Sequence, residues 1–234
     1  MNKPIIILSK PQLAENIGMT ARAMKNCALE DLRLISPRED HLSEKALSAS
    51  SGADDILKNA KVFNTLKESV KDLEQLFATT ARHRDMIKFV YTPDKAAELI
   101  STESKKSGIL FGCERTGLEN DDLILADGII EIPLNPEHSS LNLSQAVLIV
   151  GYEWHKLQIQ APSEQLITNK TNVANKELLI HFLDYLENKL DDCGNFKQDG
   201  KPSQIRNLHN IFSRASLTEQ EINTLYGVIN HLNK

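Results

Sequence analysis

Three short polar segments carry the residue types that could do chemistry, and each follows an apolar run that predicts a strand. The first holds Asn16 and Arg22, the second holds Glu114 and Arg115 between two glycines, and the third runs through Ser139-Ser140-Leu141-Asn142. In open α/β sheets, ligands gather outside the carboxyl ends of the strands. The three segments are therefore candidates for a ligand-binding edge.

The first segment also has an ordinary structural interpretation. Asn16 could cap a helix, and Arg22 could be a solvated side chain. Because six residues separate them, the two side chains lie on different sides of an ideal helix. They can converge on one ligand only if Asn16 belongs to the loop that enters the helix.

The second and third segments have the same two interpretations. Gly112 would let a ligand approach the backbone closely, and Gly117 permits a turn with positive φ, but the segment could be a plain polar turn. In the third segment, hydroxyl groups precede the free amide donors of a helix N-terminus, which suits an anionic or polar ligand. Capping of that helix by Ser140 or Asn142 is the simpler alternative.

The elements that would position these segments alternate between strands and helices, which predicts an α/β domain with a largely parallel sheet. Predicted strands cover 4–9, 31–36, 62–63, 74–79, 108–112 and 128–133. Predicted helices cover 16–27, 43–60 with a break at Gly52, 65–72, a stretch starting at Thr92-Pro93, and 143–157. The last helix is apolar on more than one side, which indicates cover by the sheet and by a second subunit.

The C-terminal residues have a different pattern. A polar linker at about 158–175 is followed by three amphipathic helices, the last opened by a capping box of Thr218 and Glu221. We therefore predict two domains, a catalytic domain over 1–160 and a helical extension over 161–234.

Composition limits the cellular setting of the chain. It has 234 residues, a net charge of −5 and 3 cysteines without a Cys-x-x-Cys pair, which fits a reducing cytoplasm and gives no zinc framework. No apolar stretch is long enough for a membrane span. Neither half is basic, so nucleic-acid affinity would need a local patch. A Gly-x-Gly-x-x-Gly motif is missing after the first strand, which weighs against a Rossmann-type enzyme.

In their order and spacing, the three segments resemble the signature motifs of the SpoU/TrmH branch of the SPOUT superfamily, which are RNA 2′-O-methyltransferases. Asn-x-Gly…Ala-Arg-Ala matches the first motif, Phe-Gly-x-Glu-x-x-Gly-Leu the second, and Ile-Pro…Ser-Ser-Leu-Asn-Leu the third. The resemblance covers about residues 4–158. Within the branch, residues 79–84 resemble a loop of the TrmJ-type tRNA enzymes, and residues 211–215 do so more loosely.

The resemblance implies a SPOUT-type parallel sheet flanked by helices, with a deep trefoil knot, in a homodimer. It implies methylation of a ribose 2′-hydroxyl in tRNA, at anticodon-loop nucleotide 32, with S-adenosylmethionine as cofactor and without a metal. The cofactor contacts it implies are Thr79, Thr80, Ala81, Gly112, Ile132, Ser139, Ser140 and Leu141. The catalytic group it implies is Arg22, with Asn16, Glu114, Ser140 and Asn142 around it, and the RNA contacts are Arg82, Arg84 and Arg115.

The chemistry of Arg22 is constrained by its guanidinium, which stays protonated below about pH 12. We expect Arg22 to clamp a phosphate or the developing alkoxide instead of acting as a base, with Glu114 orienting Arg22 or a hydroxyl. Two positions depart from the TrmJ pattern: His138 replaces an aromatic residue, and residues 205–210 have lost basic charge. Ribosomal RNA as the substrate, or a non-catalytic RNA-binding protein of the same fold, are the alternatives.

Overall fold

A parallel sheet organises residues 1–161, the first of two compact units into which the chain divides; the second is 162–234. The structure, a computed structural model, describes residues 3–80, 87–103, 105–159, 166–168, 170–196 and 200–232. Within these residues the sheet has seven strands in the order β3-β2-β1-β6-β4-β7-β5, and all neighbours are parallel. The strands are β1 (Ile5–Ser9), β2 (Leu32–Ile35), β3 (Lys61–Phe63), β4 (Gln75–Thr79), β5 (Phe89–Tyr91), β6 (Ser107–Phe111) and β7 (Gly128–Ile130).

Helices cover both faces of this sheet. The two faces of β1 show why its apolar run is continuous: Ile6 and Leu8 join one buried cluster, while Ile5 and Ile7 join another. Successive strand side chains alternate between faces, so a strand buried on both sides must be apolar throughout. The helices of the first unit are α1 (Ala14–Asn26), α2 (Glu44–Ser50), α3 (Asp54–Lys58), α4 (Leu66–Val70), α5 (Pro93–Thr102), α6 (Asn120–Ile124) and α7 (Leu143–Lys156).

Local signals set several helix ends. Gly52, with φ of +91°, separates α2 from α3, which confirms the predicted break. Helix α5 begins at Pro93 with Thr92 at its N-cap position, also as predicted. Ser43 and Thr65 each accept a hydrogen bond from a backbone N–H in the first turn of α2 and α4, respectively.

Two elements of the first unit were not predicted. Strand β5 has three residues, pairs among the described strands with β7 alone, and exposes Phe89 and Val90, so it lacks the buried apolar run that marked most other strands. Helix α6 has five residues, and a capping box of Glu119 and Asp122 opens it. Both elements are short enough to escape a periodicity argument.

The second unit is helical, with α8 (Lys176–Asp192), α9 (Lys201–Arg214) and α10 (Glu219–Leu232). Its buried centre is formed by Leu179, Phe182, Leu183 and Ile222. The predicted capping box is present, since the Glu221 carboxylate accepts the Thr218 N–H at 2.7 Å and the Thr218 hydroxyl accepts the Glu221 N–H at 3.3 Å. The first of these bonds, with one from the Thr218 hydroxyl, lowers the pKa of Glu221. In the described ranges of both units, a helix of the length and hydropathy needed to cross a bilayer is not found.

Candidate active site

A cleft opens where β4, β6 and β7 end, at the carboxyl edge of the sheet. Its volume is about 270 Å³. The cleft is lined by every described residue that we predicted to contact the cofactor: Thr79, Thr80, Gly112, Ile132, Ser139, Ser140 and Leu141. Ala81, the remaining predicted contact, lies outside the described residues. Residues that follow three different strands therefore surround one space.

The walls of the cleft divide by polarity. Phe111, Ile130 and Leu143 are buried and supply an apolar floor, whereas Ser139 and Ser140 are exposed at the rim. Such a mixture of apolar surface and a few polar groups is typical of small-molecule sites.

Glu114 joins the second motif to the first. Its carboxylate accepts hydrogen bonds from the Gln12 backbone N–H at 2.9 Å, from the Leu13 N–H at 3.4 Å and from the Asn16 side-chain amide at 2.7 Å. Two of these donors are backbone N–H groups just before α1, where a carboxylate is also favoured by the helix dipole. Glu114 therefore holds the start of α1 against the loop that follows β6.

Asn142 joins the third motif to the same group. Its side-chain N–H donates to the Asn16 side-chain oxygen at 3.1 Å, while its own oxygen accepts the Ser144 N–H at 2.9 Å as the N-cap of α7. Asn16 is buried although it is polar, because both ends of its amide have partners. The structure thus brings Asn16, Glu114 and Asn142 together, across separations of 98 and 126 residues.

The loop after β6 is a tight turn. Gly117 has φ of +70°, as predicted, and its N–H donates to the Cys113 carbonyl at 2.9 Å. A Cβ on Gly112 would lie 2.4 Å from the Gly117 carbonyl carbon and from the Leu118 nitrogen. The turn itself therefore requires a glycine here, and the close approach of a ligand to the Gly112 backbone stays a prediction.

Cys113 also lines the cleft and was not singled out from the sequence. Partial burial raises the pKa of its thiol. Hydrogen bonds with the Thr116 side chain and with the Thr116 and Arg115 backbone lower that pKa by a larger amount in total, so the pKa lies below its ordinary value. Its Sγ lies 3.0 Å from the Thr116 hydroxyl. A motif that specifies only Phe-Gly-x-Glu could not have identified it.

The two predicted site arginines that the structure describes, Arg22 and Arg115, do not join the hydrogen bonds of this site. Arg22 and Arg115 are exposed, and among the described residues neither side chain has a hydrogen-bond or ion-pair partner. Arg115 lines the cleft, whereas Arg22 does not. Glu114 contacts Gln12, Leu13 and Asn16 in the structure and not Arg22, so its predicted role of orienting Arg22 or a hydroxyl stays a prediction. Arg82 and Arg84 lie outside the described residues.

Comparisons with known proteins agree with this site. Residues 3–152 match the model of a family described as the SpoU rRNA Methylase family. The chain is 33% identical over 234 residues to the tRNA (cytidine/uridine-2′-O-)-methyltransferase TrmJ of Photorhabdus laumondii, covering 98% of this chain and 96% of that protein. An uncharacterized tRNA/rRNA methyltransferase of Haemophilus influenzae is 33% identical over 231 residues, with 98% and 94% covered.

Among solved structures, the crystal structure of TrmJ from Z. mobilis ZM4 superposes with a TM-score of 0.86 at 46% sequence identity. That match covers 99% of this chain and 99% of the other. The cleft, its three motifs and these similarities lead to one conclusion: the chain belongs to the SpoU methylase family and is an RNA methyltransferase.

Proposed function

We propose that this chain methylates a ribose 2′-hydroxyl in tRNA, with S-adenosylmethionine as the methyl donor. The observation that carries the proposal is the convergence of Glu114, Asn16 and Asn142, which ties the three motifs together beside the cleft. The TrmJ relatives that match nearly the whole chain support tRNA as the substrate.

The residues present fit S-adenosylmethionine. An adenine ring needs apolar walls, which Phe111, Ile132 and Leu141 supply, and polar edges need hydrogen-bond partners, which the Ser139 and Ser140 hydroxyls offer. When bound, the cofactor supplies a methyl group on a sulfonium that is already activated toward nucleophiles. The cofactor contacts remain proposals for Thr79, Thr80, Ala81, Gly112, Ile132, Ser139, Ser140 and Leu141.

The protein's own task is to hold the ribose and to help its hydroxyl proton leave. We assign Arg22 to a phosphate or to the developing alkoxide, because a guanidinium cannot accept a proton at neutral pH. Glu114, Asn16 and Asn142 act by position, since their hydrogen bonds are used within the protein. Ser140 is exposed at the rim of the cleft, within reach of a bound ligand.

Several finer statements belong to this proposal. They are methylation at anticodon-loop nucleotide 32, RNA contacts by Arg82, Arg84 and Arg115, a deep trefoil knot, and a cytoplasmic location. The proposed domains are 1–160 for catalysis and 161–234 for the helical extension. The proposal also includes a homodimer, supported by exposed apolar residues on α1 and α7, among them Met19 and Tyr152.

The test is to map ribose methylation on total RNA after incubation with the protein and labelled S-adenosylmethionine. We expect label in tRNA at position 32. Label in ribosomal RNA alone would favour the other substrate, and binding of RNA without labelling would identify a non-catalytic protein.

The role of Arg22 is tested in the same assay. Arg22→Ala should abolish methyl transfer while leaving the affinity for S-adenosylmethionine unchanged, because Arg22 does not line the cleft. Saturating tRNA should not restore its turnover. Restoration by excess tRNA would make Arg22 a binding residue and would contradict its catalytic assignment.

The Arg82→Ala/Arg84→Ala double variant should instead be partly rescued by excess tRNA.

A further inference from the structure

Positive charge is distributed unevenly over the first unit. Most of its described surface lysines lie within 4.0 Å of a carboxylate, for example Lys3 with Glu30 and Lys25 with Asp55. The exposed arginines in the described part of the same unit, which are Arg22, Arg38 and Arg115, have no carboxylate of a described residue within that distance. A chain with a net charge of −5 thus keeps unneutralised guanidinium groups at particular places.

Arg38 is the one among them to which no role has been given. It lies in the loop after β2, at the same carboxyl edge of the sheet as the cleft, because all the strands are parallel. Its Nη1 lies 3.5 Å from the Gln12 side-chain oxygen, and the backbone N–H of Gln12 donates to Glu114. Arg38 therefore contacts Gln12, and Gln12 in turn binds Glu114, the residue before Arg115 in the chain.

The backbone around Arg38 is held in place. Its N–H donates to the Pro11 carbonyl at 3.0 Å, and the carboxylate of the next residue, Glu39, accepts the Ala14 N–H at 3.1 Å. This second bond satisfies one of the free N–H groups in the first turn of α1. The loop after β2 is thus fastened to the segment that leads into the first motif.

The two acidic residues that follow Arg38 have other partners. The Glu39 carboxylate is engaged with Ala14, and the Asp40 carboxylate accepts the Leu42 N–H at 2.9 Å and lies 3.6 Å from the His41 ring. The guanidinium is thus exposed on a loop whose backbone is held in place, and one of its N–H groups faces a neutral amide oxygen.

We propose that Arg38 binds a backbone phosphate of the RNA substrate next to the cleft. An exposed guanidinium on a fixed loop suits phosphate, since its planar donors match two phosphate oxygens and little order has to be imposed on binding. Phosphate contacts supply affinity and orientation independently of sequence. The inference rests on the proposed function, because it takes the ligand to be RNA whose ribose enters the cleft.

The test measures equilibrium binding of an unmodified tRNA transcript to the full-length protein between 50 and 200 mM salt, for wild type and for Arg38→Ala. We expect Arg38→Ala to raise the Kd about three- to tenfold. The slope of log K against log salt should become shallower by about 0.7 to 0.9, the value of one lost phosphate contact. Arg38→Lys keeps the charge but loses the planar pair of donors that can bind two phosphate oxygens. Its Kd should therefore lie between those of wild type and Arg38→Ala.

Lys58 supplies the matched control. It is exposed, has no carboxylate within 4.0 Å among the described residues, and ends α3 just before β3, at the opposite edge of the sheet. Lys58→Ala also removes one positive charge. Because that charge lies at the edge of the sheet opposite the cleft, its loss should leave both the Kd and the salt slope unchanged. S-adenosylmethionine affinity should be equal in all variants, because neither residue lines the cleft.

The outcomes separate this inference from the proposed function. If wild-type protein methylates tRNA and Arg38→Ala shows wild-type Kd and slope, only the role of Arg38 is wrong. Equal losses in Arg38→Ala and Lys58→Ala would show a nonspecific charge effect and would overturn it too. A change in oligomeric mass in Arg38→Ala, with unchanged RNA affinity, would assign Arg38 to a subunit contact instead. If wild-type protein binds tRNA but transfers no methyl group, the proposed function fails while the Arg38 measurement remains decisive.

Discussion

At the scale of single residues, Gly112 shows how a missing side chain shapes the site. A Cβ there would come within 2.4 Å of the backbone of Gly117 and Leu118, which cannot yield as a flexible side chain would. Gly112→Ala should therefore displace the turn that carries Glu114. We expect a loss of about 1–3 kcal/mol in the free energy of unfolding and at least about a tenfold loss of S-adenosylmethionine affinity, measured by thermal unfolding and calorimetry.

The control for this substitution is Gly227→Ala, in the middle of α10. Nothing lies within 4 Å of a Cβ built at Gly227, so the added methyl group meets no obstacle. It should leave cofactor affinity unchanged and raise helix stability by up to about 1 kcal/mol. Wild-type stability and affinity in Gly112→Ala would show that the turn can move at no cost.

Asp72 stabilises the folded protein through an ion pair with a buried arginine. Its carboxylate binds the guanidinium of Arg33, whose side chain is 3% exposed, at 2.6 Å and 2.9 Å. Hydrogen bonds from Arg33 and then from Lys106 hold the pKa of Asp72 well below its usual range. Asp72→Asn should lower the free energy of unfolding at pH 7 by about 1–3 kcal/mol. This is less than the loss expected for a fully buried ion pair, because the Asp72 side chain is 42% exposed and solvent screens its charge.

The pH dependence of that effect follows from the sign of the shift. A carboxyl whose pKa is lower in the folded protein stabilises it above the pKa of the unfolded chain, about 3.9. That contribution is lost as the pH falls through the folded-state pKa. The difference between wild type and Asp72→Asn should therefore be constant near neutrality and shrink below about pH 4 in denaturant titrations. A constant difference down to pH 2 would contradict this account.

At the scale of elements, helix α7 begins at a residue that serves two partners. Asn142 caps α7 through Ser144 and also donates to Asn16, whereas Asn175 caps α8 by accepting the Leu178 N–H at 2.8 Å and has no part in the site. Asn142→Ala and Asn175→Ala should each cost about 1 kcal/mol of stability in their own unit. Only Asn142→Ala should reduce methyl transfer, by more than about tenfold, because it frees Asn16 and the start of α1. Equal activity in the two variants would limit Asn142 to capping.

At the scale of the whole molecule, the exposed apolar side chains of α7 point to self-association. Leu148 and Tyr152 are 39% and 53% exposed and lie one turn apart on one face of the helix. Contiguous exposed apolar surface commonly marks an interface, and two identical copies cover it symmetrically. We expect a two-chain mass in light scattering at micromolar concentration, and a shift toward one chain for Leu148→Glu.

Ile124→Glu is the control for the dimer. Ile124 is 62% exposed, but it lies on α6, whose Leu123 packs in the buried cluster on the opposite face of the sheet from α7, so its substitution should leave the two-chain mass unchanged. A single-chain mass for wild-type protein at the same concentration would contradict the homodimer.

The sequence by itself determined the α/β class, six of the strands and the order of the three motifs. It could do so because buried strands require unbroken apolar runs, and helix starts and breaks depend on neighbouring residues such as Thr92, Pro93 and Gly52. The individual cleft residues were predicted from the resemblance of the motifs to a known family, and the position of the three segments after strands agrees with it, because the carboxyl ends of parallel strands share one edge.

Only the tertiary structure decided which groups those residues contact. Glu114 binds donors about a hundred positions earlier in the chain, and Gly112 makes room for its own turn, because β1, β6, β4 and β7 lie side by side in an order that local patterns do not contain. The same holds for the surroundings of Arg38, because its acidic neighbours Glu39 and Asp40 accept hydrogen bonds from the Ala14 and Leu42 N–H groups, respectively. Local sequence governs backbone conformation, whereas the partners of a side chain depend on which distant segments the sheet brings together.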